Sequence, residues 1–294
     1  MEISVSIGIC AHNEEKNIGN LLEKLINQET KKTKINEIIV VSSSTDRTNE
    51  IVRNFSKKDE RIKLIVQSRR EGKASAVNEF IKNANSEVCV LESADTIPLE
   101  NTIEKLCLPF YDKSIGMTGG HPIPVNDRST FIGFTGHLIW ELHHKIATIN
   151  PKLGELVAFR NVIDKIPKDT SVDEAWIEAI IRNKGYKVIY VPDAVCYNKA
   201  PETIRDFIRQ RRRIHTGHLH LKNKLGYSVS TMDIRNIFKA IKELDLQSKE
   251  WVYLVGAIIL ESICNILGWL DYYVLKRNYA VWEMAETTKM VVKK

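Results

Sequence analysis

At 294 residues and 43% hydrophobic content, the chain can bury one large core or two modest ones, which excludes a disordered polypeptide. A net charge of +6 suits nucleotides, phospholipid headgroups and nucleic acid alike, so its sign selects no single partner. The five cysteines, Cys10, Cys89, Cys107, Cys196 and Cys264, are odd in number, widely spaced and mostly set in apolar runs, which argues against a disulfide or zinc framework and for a reduced, cytoplasmic protein.

Residues 3–9 form a short run rich in β-branched side chains, with no basic region or cleavable apolar segment before it, so no secretion signal is expected. Residues 11–18, A-H-N-E-E-K-N-I, read as a loop. Asn17 would cap, or Glu14 and Glu15 would open, a helix carrying Ile18, Leu21, Leu22, Leu25 and Ile26 on one face. A second strand is predicted over 35–41, after which S-S-S-T-D-R-T leads into a helix with Ile51, Val52 and Phe55. A third strand is predicted over 62–66. Strands alternating with helices of this size predict an α/β fold, a mostly parallel sheet with helices on both faces.

The stretch 69–98 carries the densest signal. Ala74, Val77, Phe80, Ile81 and Ala84 mark one face of a helix opened by Gly72 and Lys73. Gly72 lets backbone approach a ligand, and Lys73, with Arg69 and Arg70 before it, places cations where a helix N-terminus already favours anions, a cradle suited to a diphosphate. Val88, Cys89, Val90 and Leu91 read as a buried strand ending on Ser93-Ala94-Asp95. Ligands of open α/β sheets sit beyond the carboxyl ends of strands, so Asp95 is placed to hold a divalent cation against phosphates.

Further along, 119–122 is a turn-rich junction and 131–149 is helical in pattern, with His137, His143 and His144 lacking any paired carboxylate or cysteine at ligand spacing. These read as interface or surface histidines. Asp173 and Glu174 open a helix bearing Trp176, Ile177, Ile180 and Ile181, a position that favours carboxylates for dipole reasons alone. Residues 206–221, D-F-I-R-Q-R-R-R-I-H-T-G-H-L-H-L, set four arginines and three histidines on and after one helix. Residues 251–270 are the most apolar run, broken by Glu261 and Asn265 and flanked by Trp251, Tyr253, Trp269, Tyr272 and Tyr273. Twenty residues could just span a bilayer, but the central glutamate and aromatic ends favour a helix lying at a membrane interface or packing in a homo-oligomer over a span or a helix buried against the catalytic domain, with a specific partner for Glu261 in each case.

Four motifs in order, A-H-N-E-E-K-N-I, S-S-T-D-R-T, G-K-x-x-A-V-N and S-A-D-T-I-P, together resemble family-2 glycosyltransferases of the GT-A-type fold. The resemblance continues through G-E-L-V-A-F-R (154–160), V-D-E-A-W-I-E (172–178), G-Y-K-V-I-Y-V-P-D-A-V (185–195) and Q-R-R-R-I (210–214), and so covers roughly residues 1–220. It implies that Ala11, Asn13 and Glu14 line the nucleotide pocket, that Asp46 sits in the loop after the second strand, either touching the ligand or capping a helix, that Lys73 meets the diphosphate, and that Asp95 coordinates Mg²⁺ or Mn²⁺. Where many relatives carry Asp-Asp-Gly this chain has Val41-Ser42-Ser43, so the usual carboxylate contact to the base is missing and Ser42 occupies its place at the donor; Ser93 replaces the first Asp of a D-x-D triplet and, with Ala94, remains beside the donor. Glu92 points to the other side of the strand.

The resemblance further implies inversion at the transferred sugar, which requires a carboxylate base facing away from the leaving group. The acidic pair at Asp173-Glu174 falls at the family's position; Glu174 is preferred by its register with Trp176, with Asp173 the alternate. Q-R-R-R-I occupies the place of the Gln-x-x-Arg-Trp motif of membrane-associated relatives, with Ile214 for Trp, so Gln210 and Arg213 would close over the diphosphate or acceptor, and His215 or His218 would reach the metal or a phosphate. The resulting expectation is a nucleotide-sugar-binding half at 1–118, an acceptor-binding half of the same domain at 119–225, and a helical region at 226–294 that contacts the cytoplasmic face of a membrane through 251–275. The donor is a nucleotide diphosphate-sugar, the acceptor a hydroxyl, lipid or lipid-linked. A nucleotidyltransferase would need a Gly-rich first loop, which A-H-N-E-E lacks. The rival outside enzymes is a non-catalytic nucleotide-sugar- or nucleic-acid-binding module; nucleic-acid binding would need aromatics beside residues 205–213, where only Phe207 is present.

Overall fold

A computed structural model describes residues 2–283 and 286–288. The amino-terminal half alternates β1 (Ile3–Ala11), α1 (Ile18–Ile26), β2 (Thr33–Ser42), α2 (Thr48–Ser56), β3 (Ile62–Val66), α3 (Lys73–Asn83) and β4 (Val88–Ser93). Then follow β5 (Ile97–Pro98), α4 (Thr102–Cys107), β6 (Ile115–Pro124), α5 (Phe131–Ile149), β7 (Val157–Arg160), α6 (Asp173–Asn183) and β8 (Lys187–Asn198), and finally α7 (Ile204–Leu225), α8 (Ile234–Lys242) and α9 (Ser248–Tyr273). The strands form one sheet in the order β3-β2-β1-β4-β7-β6-β8-β5.

The β3-β2-β1-β4 side is wholly parallel, as the βαβ alternation predicts. Beyond it, β7 runs antiparallel to both β4 and β6, and β5 antiparallel to β8, so the sheet is mixed. The reversed β7 brings the loop before it to the same sheet edge as the carboxyl ends of β1 and β4. β6 passes through position 118, so the two halves are parts of one continuous sheet.

Central strands are apolar on both faces because both faces are covered. Ile7, Ile9, Val40, Val88 and Val90 pack with Leu21, Leu22 and Leu25 of α1, Val52 of α2 and Ile103 and Leu106 of α4. The alternate residues Ile39, Val41, Cys89 and Leu91 pack with Val77, Phe80 and Ile81 of α3 and Trp176, Ile177 and Ile181 of α6. Gly8 permits a close crossing of α3 over β1, since a Cβ there would lie 2.4 Å from the Phe80 ring. Each fully buried Leu, Ile or Phe contributes roughly 1.5–3 kcal/mol.

The last helices add a separate layer. α5 and α9 share a small core of Phe134, Leu138, Leu254 and Ala257. The buried stripe of α9, Leu254, Ala257, Leu260, Cys264, Gly268 and Asp271, follows helical periodicity against α7 and α5, while Val252, Val255, Ile259, Ile266 and Trp269 face outward. Glu261 accepts a forked pair of bonds from Arg211 and lies 2.9 Å from His215, the specific partner its place in an apolar run demands.

Candidate active site

The carboxyl ends of β1 and β2 open into two loops that knit together. Asn13 adopts a left-handed φ of 54°, which turns its N–H onto Ser44 Oγ at 2.9 Å while its Oδ1 accepts from Thr45 N at 2.9 Å. Glu14 N donates to Thr48 Oγ1 at 2.8 Å, and Asn17 donates to the Glu14 carboxylate at 3.0 Å. Asp46 accepts from Thr48 N at 3.0 Å and Glu15 N at 3.1 Å; burial pushes its carboxyl up, but these donors and the Thr48 hydroxyl outweigh it and hold it below its usual value. Asp46 therefore ties the loops and caps α2, the second of its two expected roles. Ser42 is buried and donates to Ser44 Oγ at 2.9 Å. Ser42, Asn13 and Asp46 thus lie behind the surface they were expected to form, and Ala11, His12, Glu14 and Ser43 line the cavity in front.

Lys73 opens α3 directly after Gly72, whose φ of +93° only glycine adopts freely and whose missing Cβ leaves room for the carbonyl of Ala280. The Lys73 ammonium lies 2.6 Å from Glu174 Oε1 and 3.0 Å from Asp173 Oδ2, both on the first turn of α6. The residue expected at the diphosphate and the residues expected as base are thus one ion cluster. Burial alone would lower the Lys73 pKa, but the two carboxylates hold it well above the usual lysine value. Burial and then Glu174 push Asp173 up; for Glu174 burial is outweighed by Lys73, and its carboxyl stays below the ordinary range. The two carboxylates of the pair are therefore shifted in opposite directions.

Asp95, beyond the end of β4, is raised by burial against the pull of Lys73 and Arg213. Glu155, on the loop before β7, is pushed up to about 7 by burial and then by the Asp95 carboxylate, and it accepts from Ser93. Its φ of 63° is a left-handed conformation in a residue with a side chain. Two carboxylates lining one cavity, one of which raises the proton affinity of the other, suit a hard divalent cation. Among the described residues no group of three or more His, Cys, Asp or Glu is arranged to hold a metal, so a cation here would complete its shell from phosphates or water. Glu92 turns away, as its strand position requires, and accepts from Thr96 in the core.

On α7 consecutive arginines point about 100° apart, and their partners differ accordingly. Arg211 binds Glu261, Arg212 binds the fully buried Asp271, and Arg213 enters the cavity beside Gln210. Trp282 lies over the Arg213 guanidinium at 4.0 Å, and its carbonyl accepts from Arg70. Residues 277–283 thus lie along the cavity wall, held further by Tyr279 to Asp271 at 2.6 Å and Arg209 to Glu283 at 3.2 Å. His218 also lines the cavity, but the groups that perturb it are Lys152, His215 and Arg211, all cationic or potentially so. Among the described residues it joins no group of three or more metal-ligating side chains.

These groups bound one cavity of about 1060 Å³. At one end stand Lys73, Asp95, Glu155, Asp173, Glu174 and Arg213; at the other, α5, α8 and α9 contribute Leu138, Ile146, Ile237, Ile241 and Leu254.

The sequence profile of glycosyl transferase family 2 matches residues 6–180, the span that supplies every residue named at the polar end of this cavity except Arg213. The chain belongs to that family. It is similar to the probable glycosyltransferase YdaM of Bacillus subtilis, at 29% identity over 74% of this chain and 56% of the relative. It is also similar to the poly-beta-1,6-N-acetyl-D-glucosamine synthase of Staphylococcus epidermidis, at 25% identity over 97% of this chain and 71% of the relative. The chain therefore spans only about half the length of some of the curated relatives it matches. In fold, this glycosyltransferase is similar to a mannosyltransferase from Pyrobaculum calidifontis in complex with GDP-Man and Mn²⁺, with a TM-score of 0.66, 20% identity, and coverage of 94% of this chain and 89% of that one. Glucosyl-3-phosphoglycerate synthase from Mycobacterium tuberculosis, in complex with Mn²⁺, UDP and glucosyl-3-phosphoglycerate, follows at a TM-score of 0.52, 14% identity, and 78% and 82% coverage.

Sequence reasoning about this glycosyltransferase missed Glu155, Lys152 and Trp282. Glu155 stands inside the G-E-L-V-A-F-R stretch, but its approach to Asp95 depends on the reversal of β7. Trp282 lies 212 residues from Arg70, beyond the reach of any motif spacing.

Proposed function

We propose that this glycosyltransferase moves a sugar from a nucleotide diphosphate-sugar to a hydroxyl acceptor with inversion at the anomeric carbon. The observation that carries the reading is the convergence of Lys73, Arg213 and an Asp95–Glu155 oxygen pair on one side of the cavity, with the Asp173–Glu174 pair facing them. Arg213 and Lys73 supply cationic donors to a diphosphate, and Ala11 and Glu14 flank the nucleoside. Asp95 and Glu155 would hold Mg²⁺ or Mn²⁺, which when bound offsets charge on the departing diphosphate.

Glu174 is the base in this reading. A diphosphate competes for Lys73, and as the ammonium shifts toward it, Glu174 loses the counterion that depresses its proton affinity and becomes able to accept the hydroxyl proton. Asp173, raised by burial and then by Glu174, is the alternate base. The cavity's continuation between α5, α8 and α9 fits an acceptor with an apolar chain. The outward apolar face of α9, 26 residues long, fits contact with the cytoplasmic side of a membrane.

Thermal melting of the full chain with UDP, GDP, CDP and ADP, each with and without Mn²⁺, tests the donor site; at least one nucleotide should stabilise the fold, and more so with the cation. Glu174→Gln should lower turnover by at least a hundredfold with nucleotide affinity little changed, and Asp173→Asn far less. Equal, small losses would remove both from the role of base.

A further inference from the structure

The loop between α5 and β7 delivers Glu155 to the cavity, and it is pinned at several points before it gets there. Ser230 Oγ donates to Asn150 O at 2.9 Å, Arg182 Nη2 donates to Pro151 O at 3.1 Å, and Leu153 N donates to Glu178 Oε2 at 3.3 Å. The Leu153 side chain is buried against β6, where a Cβ on Gly119 would lie 2.5 Å from it. Two residues later the backbone turns through the left-handed φ of Glu155 and enters β7, with Gly120 N donating to Leu156 O at 2.9 Å. A residue with a side chain persists in that conformation only where its surroundings over-determine it.

Glu178 is the hub of that anchorage. It is fully buried on α6, about one turn after Glu174. Its Oε1 accepts from the Tyr227 hydroxyl at 2.5 Å and from Arg182 Nε at 3.1 Å, while Oε2 takes the Leu153 N–H. Burial and then the Glu178 carboxylate raise the Tyr227 pKa, so its hydroxyl stays a donor. The three donors come from three places: the loop, α6 itself, and the segment directly after α7. A buried carboxylate is weak evidence for stability, because well-packed apolar side chains of similar volume often hold a structure as well or better. What the carboxylate adds is direction, since it fixes one backbone N–H of the loop against the helix that carries Glu174.

We infer that Glu178 is a positioning residue, which through Leu153, Arg182 and Tyr227 locks the 150–156 loop to α6 and so holds Glu155 in place for a divalent cation at a fixed distance from Glu174. The inference rests on the proposed role of Glu155 and adds the residue that sets its place. Glu178 is not among the residues that line the cavity, so it acts through the loop and not on the ligands themselves. Binding constellations tolerate misplacement of only about 0.5 Å, so slack in the loop is read first as lost cation affinity.

Mn²⁺ affinity of the full chain, read by paramagnetic resonance with the nucleoside diphosphate that stabilises the fold, tests this directly. Glu178→Gln offers one acceptor oxygen to three donors and should weaken Mn²⁺ about tenfold, with nucleotide affinity in the absence of Mn²⁺ unchanged. Tyr227→Phe keeps every charge and should still weaken Mn²⁺ roughly threefold; it carries the test if Glu178→Gln does not fold. In a Glu155→Gln background neither substitution should weaken Mn²⁺ further, because the ligand they position is gone. A purely structural Glu178 would lower the melting temperature and leave Mn²⁺ affinity unchanged, or lower that affinity equally in both backgrounds. A loss in Glu178→Gln with none in Tyr227→Phe would be the effect of a removed charge; each of these results overturns the inference. If Glu155→Gln alone leaves Mn²⁺ affinity unchanged, the role of Glu155 fails and takes this inference with it, while nucleotide stabilisation still reports the donor site. If Glu155→Gln weakens Mn²⁺ and neither Glu178→Gln nor Tyr227→Phe does, this inference falls alone.

Discussion

At the scale of single residues, the carboxylates around β4 divide by what surrounds them. Asp95 and Glu155 both line the cavity, and the Asp95 carboxylate raises Glu155, so removing one should relieve repulsion but also halve the oxygen set offered to a cation. Asp95→Asn and Glu155→Gln are each expected to weaken Mn²⁺ binding at least tenfold, read by Mn²⁺ paramagnetic resonance with the nucleotide that stabilises the fold; an unchanged affinity for Glu155→Gln would leave Asp95 as the lone protein ligand. Glu92 is a core residue, fully buried, with one oxygen bonded by Thr96 and the other without a partner, and burial pushes its pKa from 4.5 up to about 8. Because the native state holds this proton more tightly than the unfolded chain, the contribution of Glu92 to stability is fully present below about pH 4.5 and is lost as the pH rises through about 8. Glu92→Gln should therefore flatten the fall in melting temperature across that window, with its advantage over the parent largest at pH 8. A constant offset at every pH would show that the carboxyl is not the titrating group.

At the scale of elements, α7 links catalysis and architecture by presenting three successive arginines to three surroundings. Arg213 serves the cavity, while Arg211 and Arg212 fasten α9 through Glu261 and Asp271. The Q-R-R-R-I motif was legible as a cationic segment, but the partition was not, since the anchoring carboxylates lie 50 and 59 residues downstream. Glu261→Leu alone should leave Arg211 unpaired and cost about 3 kcal/mol in denaturant unfolding, the lower end for a broken buried pair because the carboxylate is partly exposed. Arg211→Leu combined with Glu261→Leu should recover most of that loss. Additive losses in the double variant would mean that each residue acts through other contacts and that the pair does not hold α9.

At the scale of the molecule, the parallel half of the sheet was legible because its strands are continuous apolar runs alternating with one-faced helices, a pattern set by local burial. The antiparallel insertion of β7 was not, because four residues, Val157–Arg160, carry no periodicity of their own and take their direction from β4 and β6. The same distance rule explains the site: Lys73, Asp95 and the Asp173–Glu174 pair announce themselves by local context, whereas Glu155, Lys152 and Trp282 acquire meaning only when the chain returns. The carboxy-terminal helices extend the argument past the catalytic layer. α9 buries one stripe and leaves Val252, Val255, Ile259, Ile266 and Trp269 outside, and α8 adds exposed Ile234 and Phe238 beside Arg235 and Lys239. An apolar face of this extent bordered by cations fits an anionic bilayer surface, and it would place the groove mouth at the depth of lipid chains. Vesicle flotation should therefore carry the protein with vesicles containing 30 mol% phosphatidylglycerol more fully than with neutral ones. Ile259→Lys and Ile266→Lys together should abolish flotation while nucleotide stabilisation persists. Retained flotation in that variant would assign membrane contact to another surface, and a monomer-to-dimer shift in place of flotation would assign the face to a second copy of the chain.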